Sequence, residues 1–174
     1  MHETTEDLDA LQQLLDDSYT RIGEHMRSIH TPERRVSAVD LARIVRGVRV
    51  LDLATVTAAC EPRVGPVDGL FYRGRFHFGS GEESMRFRHL RRRSQVSACH
   101  TVGEKFAVVA HGHAVEIDVR APEHRGFLDY VHEVYPHWDE WYPGDAPPYA
   151  FITAERIYAW AFEAAVGEEL AAGI

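Results

Sequence analysis

Val50-Leu51-Asp52-Leu53-Ala54-Thr55-Val56-Thr57 decides the fold class. It repeats with a period of two and is rich in aliphatic and β-branched residues, the pattern of a half-buried strand. Ala58-Ala59-Cys60-Glu61-Pro62 reads as the turn that follows, and Arg63 to Tyr72 as the return strand. Arg73-Gly74 is a two-residue turn into Arg75-Phe76-His77-Phe78-Gly79, so three strands form an antiparallel meander.

Outward from this meander, the pattern becomes helical on the N-terminal side. Leu8, Leu11, Leu14, Leu15, Tyr19 and Ile22 recur at helical spacing and predict an amphipathic helix over residues 5–29. Thr31-Pro32 interrupts it, and a second helix is expected from Ser37 to Val45. On the C-terminal side a short helix is expected over Glu82 to Arg93, with Ser80 and Glu83 spaced as a capping box. Strands follow at Gln95–Thr101 and Phe106–Val119, then a helix at Pro122–Val134, and last two strands at Tyr149–Thr153 and Ile157–Phe162. Most connections are too short for parallel crossovers, and no G-x-G-x-x-G occurs, which argues against a dinucleotide-binding sheet and for an antiparallel barrel.

Composition sets the class of partner. Of 174 residues, 45% are hydrophobic and 26% charged, globular proportions, and the formal net charge of -8 argues against nucleic acid and anionic membrane surfaces. No apolar run approaches the ~20 residues of a membrane span, and the acidic, amphipathic start does not resemble a secretory signal. Cys60 and Cys99 form no C-x-x-C pair, so a reducing cytoplasmic setting is the expectation. Among 19 basic residues only Lys105 is a lysine, a bias in keeping with GC-rich codons.

The ordered set Leu53-Ala54-Thr55-Val56, Glu61 to Val67, Gly74 to Phe78, Ser84 to Leu90, Val96-Ser97-Ala98, Gly112 and Arg156 to Trp160 resembles the pyridoxamine 5'-phosphate oxidase-like family. The resemblance covers about residues 36–163 and leaves a helical extension at 1–35 and a tail at 164–174. It implies a mainly β (α+β) fold, a six-stranded antiparallel split β-barrel of Greek-key order with flanking helices, working as a homodimer. It further implies FMN, or the deazaflavin F-420 used by some members from GC-rich genomes, held for hydride transfer with a small-molecule substrate. On this likeness the ring lies along Arg63, Val64, Gly65, Pro66 and Val67, and the phosphate is held by Ser84 and Arg86 at the short helix, beside Ser80. Arg63 would be a second cation, and Trp160 would approach the cofactor of the other subunit. Arg86 stands where the family usually has lysine, and Glu82 and Glu83 would repel a phosphate. The other reading is a non-catalytic flavin- or haem-binding protein on the same barrel, with His77, His100 or His111 as axial ligand.

Other features fall outside that pattern. His111 and His113 lie on one face of a strand at chelating spacing, but no third ligand is fixed, and no metal is assigned. Arg86, Arg88, Arg91, Arg92 and Arg93 lack the aromatic pattern of an RNA module. Tyr135, Trp138, Trp141 and Tyr142 form the densest aromatic cluster, readable as the wall of a binding site or as a hydrophobic plug.

Overall fold

The computed structural model describes residues 1–162, so the expected tail at 164–174 lies outside the described residues. Helices α1 (Thr5–Thr20), α2 (Glu24–Ile29) and α3 (Ala38–Ile44) precede the strands β1 (Val48–Val56), β2 (Pro62–Tyr72) and β3 (Arg75–Gly79). Helix α4 (Met85–Leu90) leads to β4 (Gln95–Val102) and β5 (Phe106–Ile117). Helices α5 (Arg125–Val134) and α6 (Trp138–Trp141) come before the last strand, β6 (Tyr149–Ala161). All pairings are antiparallel and the barrel closes in the order β1-β2-β3-β6-β5-β4, a six-stranded antiparallel barrel as the resemblance implied.

The meander is built as the sequence demands. Arg73 and Gly74 have φ of 49° and 75°, the left-handed pair of a type I′ turn, whose twist matches that of the strands it joins. Arg73 is an unusual residue for that conformation, and its guanidinium is held at 3.0 Å by Asp7, which also closes the Thr4 capping box of α1. The barrel interior is filled from both sheet halves by Leu51, Leu53, Phe76, Phe78, Val108, Ile152 and Ile157, and α3 adds Leu41 and Ile44. A second apolar cluster, built on Phe127, Tyr130, Val131 and Trp138, seats α5 and α6 on the outer side of β2 and β6.

The barrel is split between β3 and β6. These strands pair only over His77–Gly79 with Tyr149–Phe151, so β6 runs on past the end of β3. Helix α1 meets the orphaned backbone there. The Ser18 hydroxyl accepts from the Ile157 amide at 2.9 Å, and the Tyr19 hydroxyl donates to the Ala159 carbonyl at 2.7 Å while accepting from the Ala159 amide. The Val36 amide adds a further bond to the Ala159 carbonyl. A buried, unpaired main-chain group costs about 1–3 kcal/mol, so these contacts complete the barrel as well as decorate it.

Four expectations need correction. The first helix does not run to residue 29, because it ends at Thr20 and Gly23 starts a separate α2. The short helix begins at Met85 rather than Glu82: Ser84 is its N-cap, accepting from the Phe87 amide, and Ser80 with Glu83 forms no capping box. The helix expected from Pro122 opens with a 3-10 turn, Pro122–His124, and is α-helical from Arg125. The two final strands are one, carrying a bulge: His111 pairs with Arg156 and Gly112 with Ala154, leaving Glu155 unopposed. Gly112 is required there, since a Cβ would run into the Thr153 carbonyl. Among the described residues no helix is long and apolar enough to cross a membrane.

Candidate functional site

Strand β2 is longer than the partner on one of its sides. It pairs with β1 over Pro62–Leu70, whereas β3 pairs only with Gly69–Tyr72. The segment 62–68 therefore presents a free edge, and Pro66, which has no N–H to offer a neighbour, suits such a position. Val67 packs against the core while Val64 is 71% exposed.

Helix α4 closes over this edge. Phe87 is buried in the core, and the Thr55 hydroxyl of β1 meets Nδ1 of His89 at 3.0 Å, fixing the helix to the barrel. From the first turn of α4, Arg86 reaches back to β2. Its Nη2 donates to the Pro66 carbonyl at 2.8 Å, and Nη1 lies 3.4 Å from the Ser80 hydroxyl. Gly65 lies beneath the guanidinium, where a Cβ would be in ordinary contact with Nη2 at 3.6 Å. Burial lowers the pKa of Arg86 from its usual value, although an arginine so shifted stays charged at neutral pH. No carboxylate stands within 4 Å of it among the described residues.

Of the nine residues singled out, Gly65, Pro66, Ser80 and Arg86 come together. Ser84 stands at the start of the same helix, with its hydroxyl spent on the cap. Arg63 turns the other way, bonded at 2.7 Å to Glu61 at the exposed β1–β2 turn. Trp160 lies on the outer side of β6, where His30 meets it edge-on with centroids 4.2 Å apart. Glu82 lies toward Arg91, at 4.0 Å, and Arg91 is in turn held by Glu116 at 2.7 Å.

The three histidines named as axial ligands differ sharply. His77 is buried, stacked on Phe127 at 4.2 Å, and burial pushes its pKa down to about 3. It is a core residue, with Nδ1 engaged at 3.2 Å by the Arg75 carbonyl. His100 is also buried, with Nδ1 at 3.0 Å from the Val50 carbonyl. His111 is exposed, its Nδ1 2.8 Å from the Ser97 hydroxyl, and His113 sits against Ser94 and Glu155. No group of three or more candidate metal ligands occurs among the described residues.

Next to Ser80 a cavity of about 180 Å³ opens between β2, β3 and the α5–β6 connection. Tyr135, Trp138, Trp141, Tyr142 and Tyr149 line it, together with Asp68. Tyr149 can lie across its partner strand only because that position is Gly79, where a Cβ would meet the ring at 2.9 Å. The indole N–H of Trp138 donates to the Tyr149 hydroxyl at 3.3 Å, and the Tyr135 hydroxyl donates to Asp68 at 3.3 Å. The aromatic cluster was visible in the sequence. Asp68 was not, because a single acidic residue in a strand carries no local signal.

No protein-family model and no curated protein sequence matches the chain. Solved structures do match. A conserved hypothetical protein from Mycobacterium tuberculosis superposes with a TM-score of 0.61 at 21% identity, covering 75% of this chain and 88% of that one. An FAD-binding protein from Mesorhizobium loti gives 0.57 at 19% identity over 75% and 98% of the two chains. HutZ, the haem storage protein from Vibrio cholerae, gives 0.57 at 14% identity over 70% and 92%. The chain is thus a split-barrel protein, of a fold found in flavin-binding and haem-storage proteins alike. Fold alone does not assign a function.

Proposed function

We propose that the chain binds a phosphate-bearing flavin, FMN in the first instance, along the free edge of β2, with Arg86 as the phosphate ligand. The observation that carries this reading is the state of Arg86: a half-buried cation, anchored on a carbonyl and a hydroxyl, with no carboxylate within 4 Å among the described residues. A guanidinium has five N–H donors, and these two contacts use only part of them. A phosphate would fill the rest with charge-assisted bonds and neutralise the charge. Helix α4, only six residues long and capped by Ser84, adds little of its own, so the arginine bears the binding.

A bound flavin supplies hydride transfer to or from a small substrate, and the protein supplies binding, orientation and electrostatics. Pro66, with no N–H to pair, keeps the β2 edge open and Arg86 fixes the phosphate end. The deazaflavin F-420 is the alternative cofactor, favoured by the arginine bias, and binding without turnover is the alternative role. Haem has weaker support, since His77 is a core residue. We place the protein as a cytoplasmic homodimer, its contact on the outer face of β1 and β2, where Val50 is 55% and Val64 71% exposed.

The absorption spectrum of freshly purified protein tests the cofactor, because flavin, deazaflavin and haem bands are distinct. Titration of cofactor-free protein with FMN tests the site. Failure to bind FMN or F-420 at micromolar concentration overturns the flavin reading.

A further inference from the structure

The chamber lined by Tyr135, Trp138, Trp141, Tyr142 and Tyr149 has a composition that the flavin reading does not use. Aromatic faces carry negative quadrupole potential and attract cations that have shed part of their hydration. Five rings gather about one small cavity, two of them, Trp138 and Tyr149, also belonging to the core that seats α5 and α6. Asp68, an exposed carboxylate, stands at the rim of the cavity.

Two observations set this carboxylate apart. Its contact within the chamber is the Tyr135 hydroxyl, and no arginine, lysine or histidine lies within 4 Å of it among the described residues. Asp139, beside Trp138, is by contrast paired with Arg120 at 3.3 Å. The cluster also already engages a cation. Arg120, which is not among the residues lining the cavity, sets its guanidinium 5.0 Å from the Trp138 ring centroid. Size is the third constraint. A dry cavity of about 150 Å³ accepts benzene, so a chamber of about 180 Å³ takes a group of similar bulk.

We infer that this chamber is a binding site for a small organic cation, an alkylammonium group seated among the tyrosine and tryptophan rings with its charge met by Asp68. Burial raises the pKa of Tyr149, and burial together with Asp68 raises that of Tyr135, so both hydroxyls stay protonated and Asp68 is the one carboxylate lining the chamber among the described residues. The inference goes beyond the flavin reading and none of its steps needs a flavin. The two are neighbours through Ser80, which lines the chamber and contacts Arg86.

The test compares choline with 3,3-dimethyl-1-butanol, its uncharged carbon isostere, by calorimetry and tryptophan fluorescence on the full-length, flavin-free chain. Choline is expected to bind and to perturb the fluorescence of Trp138 and Trp141, with the isostere weaker by about tenfold or more. Asp68→Asn should weaken choline by about tenfold while leaving the isostere unchanged, and Trp141→Ala should weaken choline. Equal binding of the two probes, or no binding of choline at millimolar concentration, overturns the proposal. Repeating the titration with FMN present separates the two readings, because a protein that fails to bind FMN would still bind choline.

Discussion

Arg86 and Pro66 join the short helix to the open edge of β2 through one hydrogen bond of 2.8 Å, from guanidinium to main-chain carbonyl. That bond aims a half-buried cation along the edge. Arg86→Ala should weaken FMN about tenfold to a hundredfold, the equivalent of roughly 1.5–3 kcal/mol for a bond to a charged group. Riboflavin, which has no phosphate, should bind wild type and variant alike. Arg92→Ala, at an exposed position beyond the end of α4, is the control and should change little. Equal FMN affinity in wild type and Arg86→Ala would show that the arginine does not hold the phosphate.

Val50 and Val64 stand exposed on neighbouring strands, and a dimer would cover them. Sedimentation velocity at micromolar concentration should give a dimer for the wild type and a monomer for Val50→Asp/Val64→Asp. A monomeric wild type would remove the homodimer from the reading.

Tyr19→Phe should lower stability by about 1–3 kcal/mol, because it removes both the donor to the Ala159 carbonyl and the acceptor for its amide. Urea unfolding measures the loss. A midpoint unchanged from wild type would mean that water replaces the hydroxyl at the split without penalty.

Stability should fall in acid in a manner traceable to His77. Its folded pKa, about 3, lies below the ordinary value of 6.5, chiefly because burial disfavours the charged ring. The unfolded chain therefore binds the extra proton first. The stability associated with neutral His77 is full above pH 6.5 and is lost as pH falls from there toward 3, at up to about 1.4 kcal/mol per pH unit. His30, His100 and His111 are shifted in the same direction by burial and add to the slope. Urea titrations at pH 7, 5.5 and 4.5 should show a shallower decline for His77→Phe than for wild type. Parallel declines would assign the acid sensitivity elsewhere.

The strands were legible because their signals are local. Arg73-Gly74 announces its turn, and the period-two run from Val50 can be read without knowing its partners. What escaped was settled at a distance. Ser80 and Glu83 have capping-box spacing, but Ser80 faces Arg86 and the cap falls to Ser84, four residues later. Polar residues around Ala154 and Glu155 read as a turn between two strands, whereas β5 holds them in one strand with a bulge. At the candidate site, the likeness placed Arg86 near β2, where it bonds to the Pro66 carbonyl, while Asp68 joined the aromatic cavity only when folding carried α5 and α6 over β2. Ser18 left one clue. A serine on the apolar side of a helix, 1% exposed, has a hydroxyl in need of a partner.

The seal that α1 makes on β6 also bears on the order of folding. Ser18 and Ile157 are 139 residues apart, so the contact completing the barrel carries one of the largest loop-closure costs in the chain. Until it forms, the C-terminal half of β6 is an unprotected strand edge, the feature through which partly folded barrels recruit one another. Helix α1 is thereby an intramolecular gatekeeper: a fragment lacking residues 1–23 should precipitate during refolding even though every strand of the barrel remains.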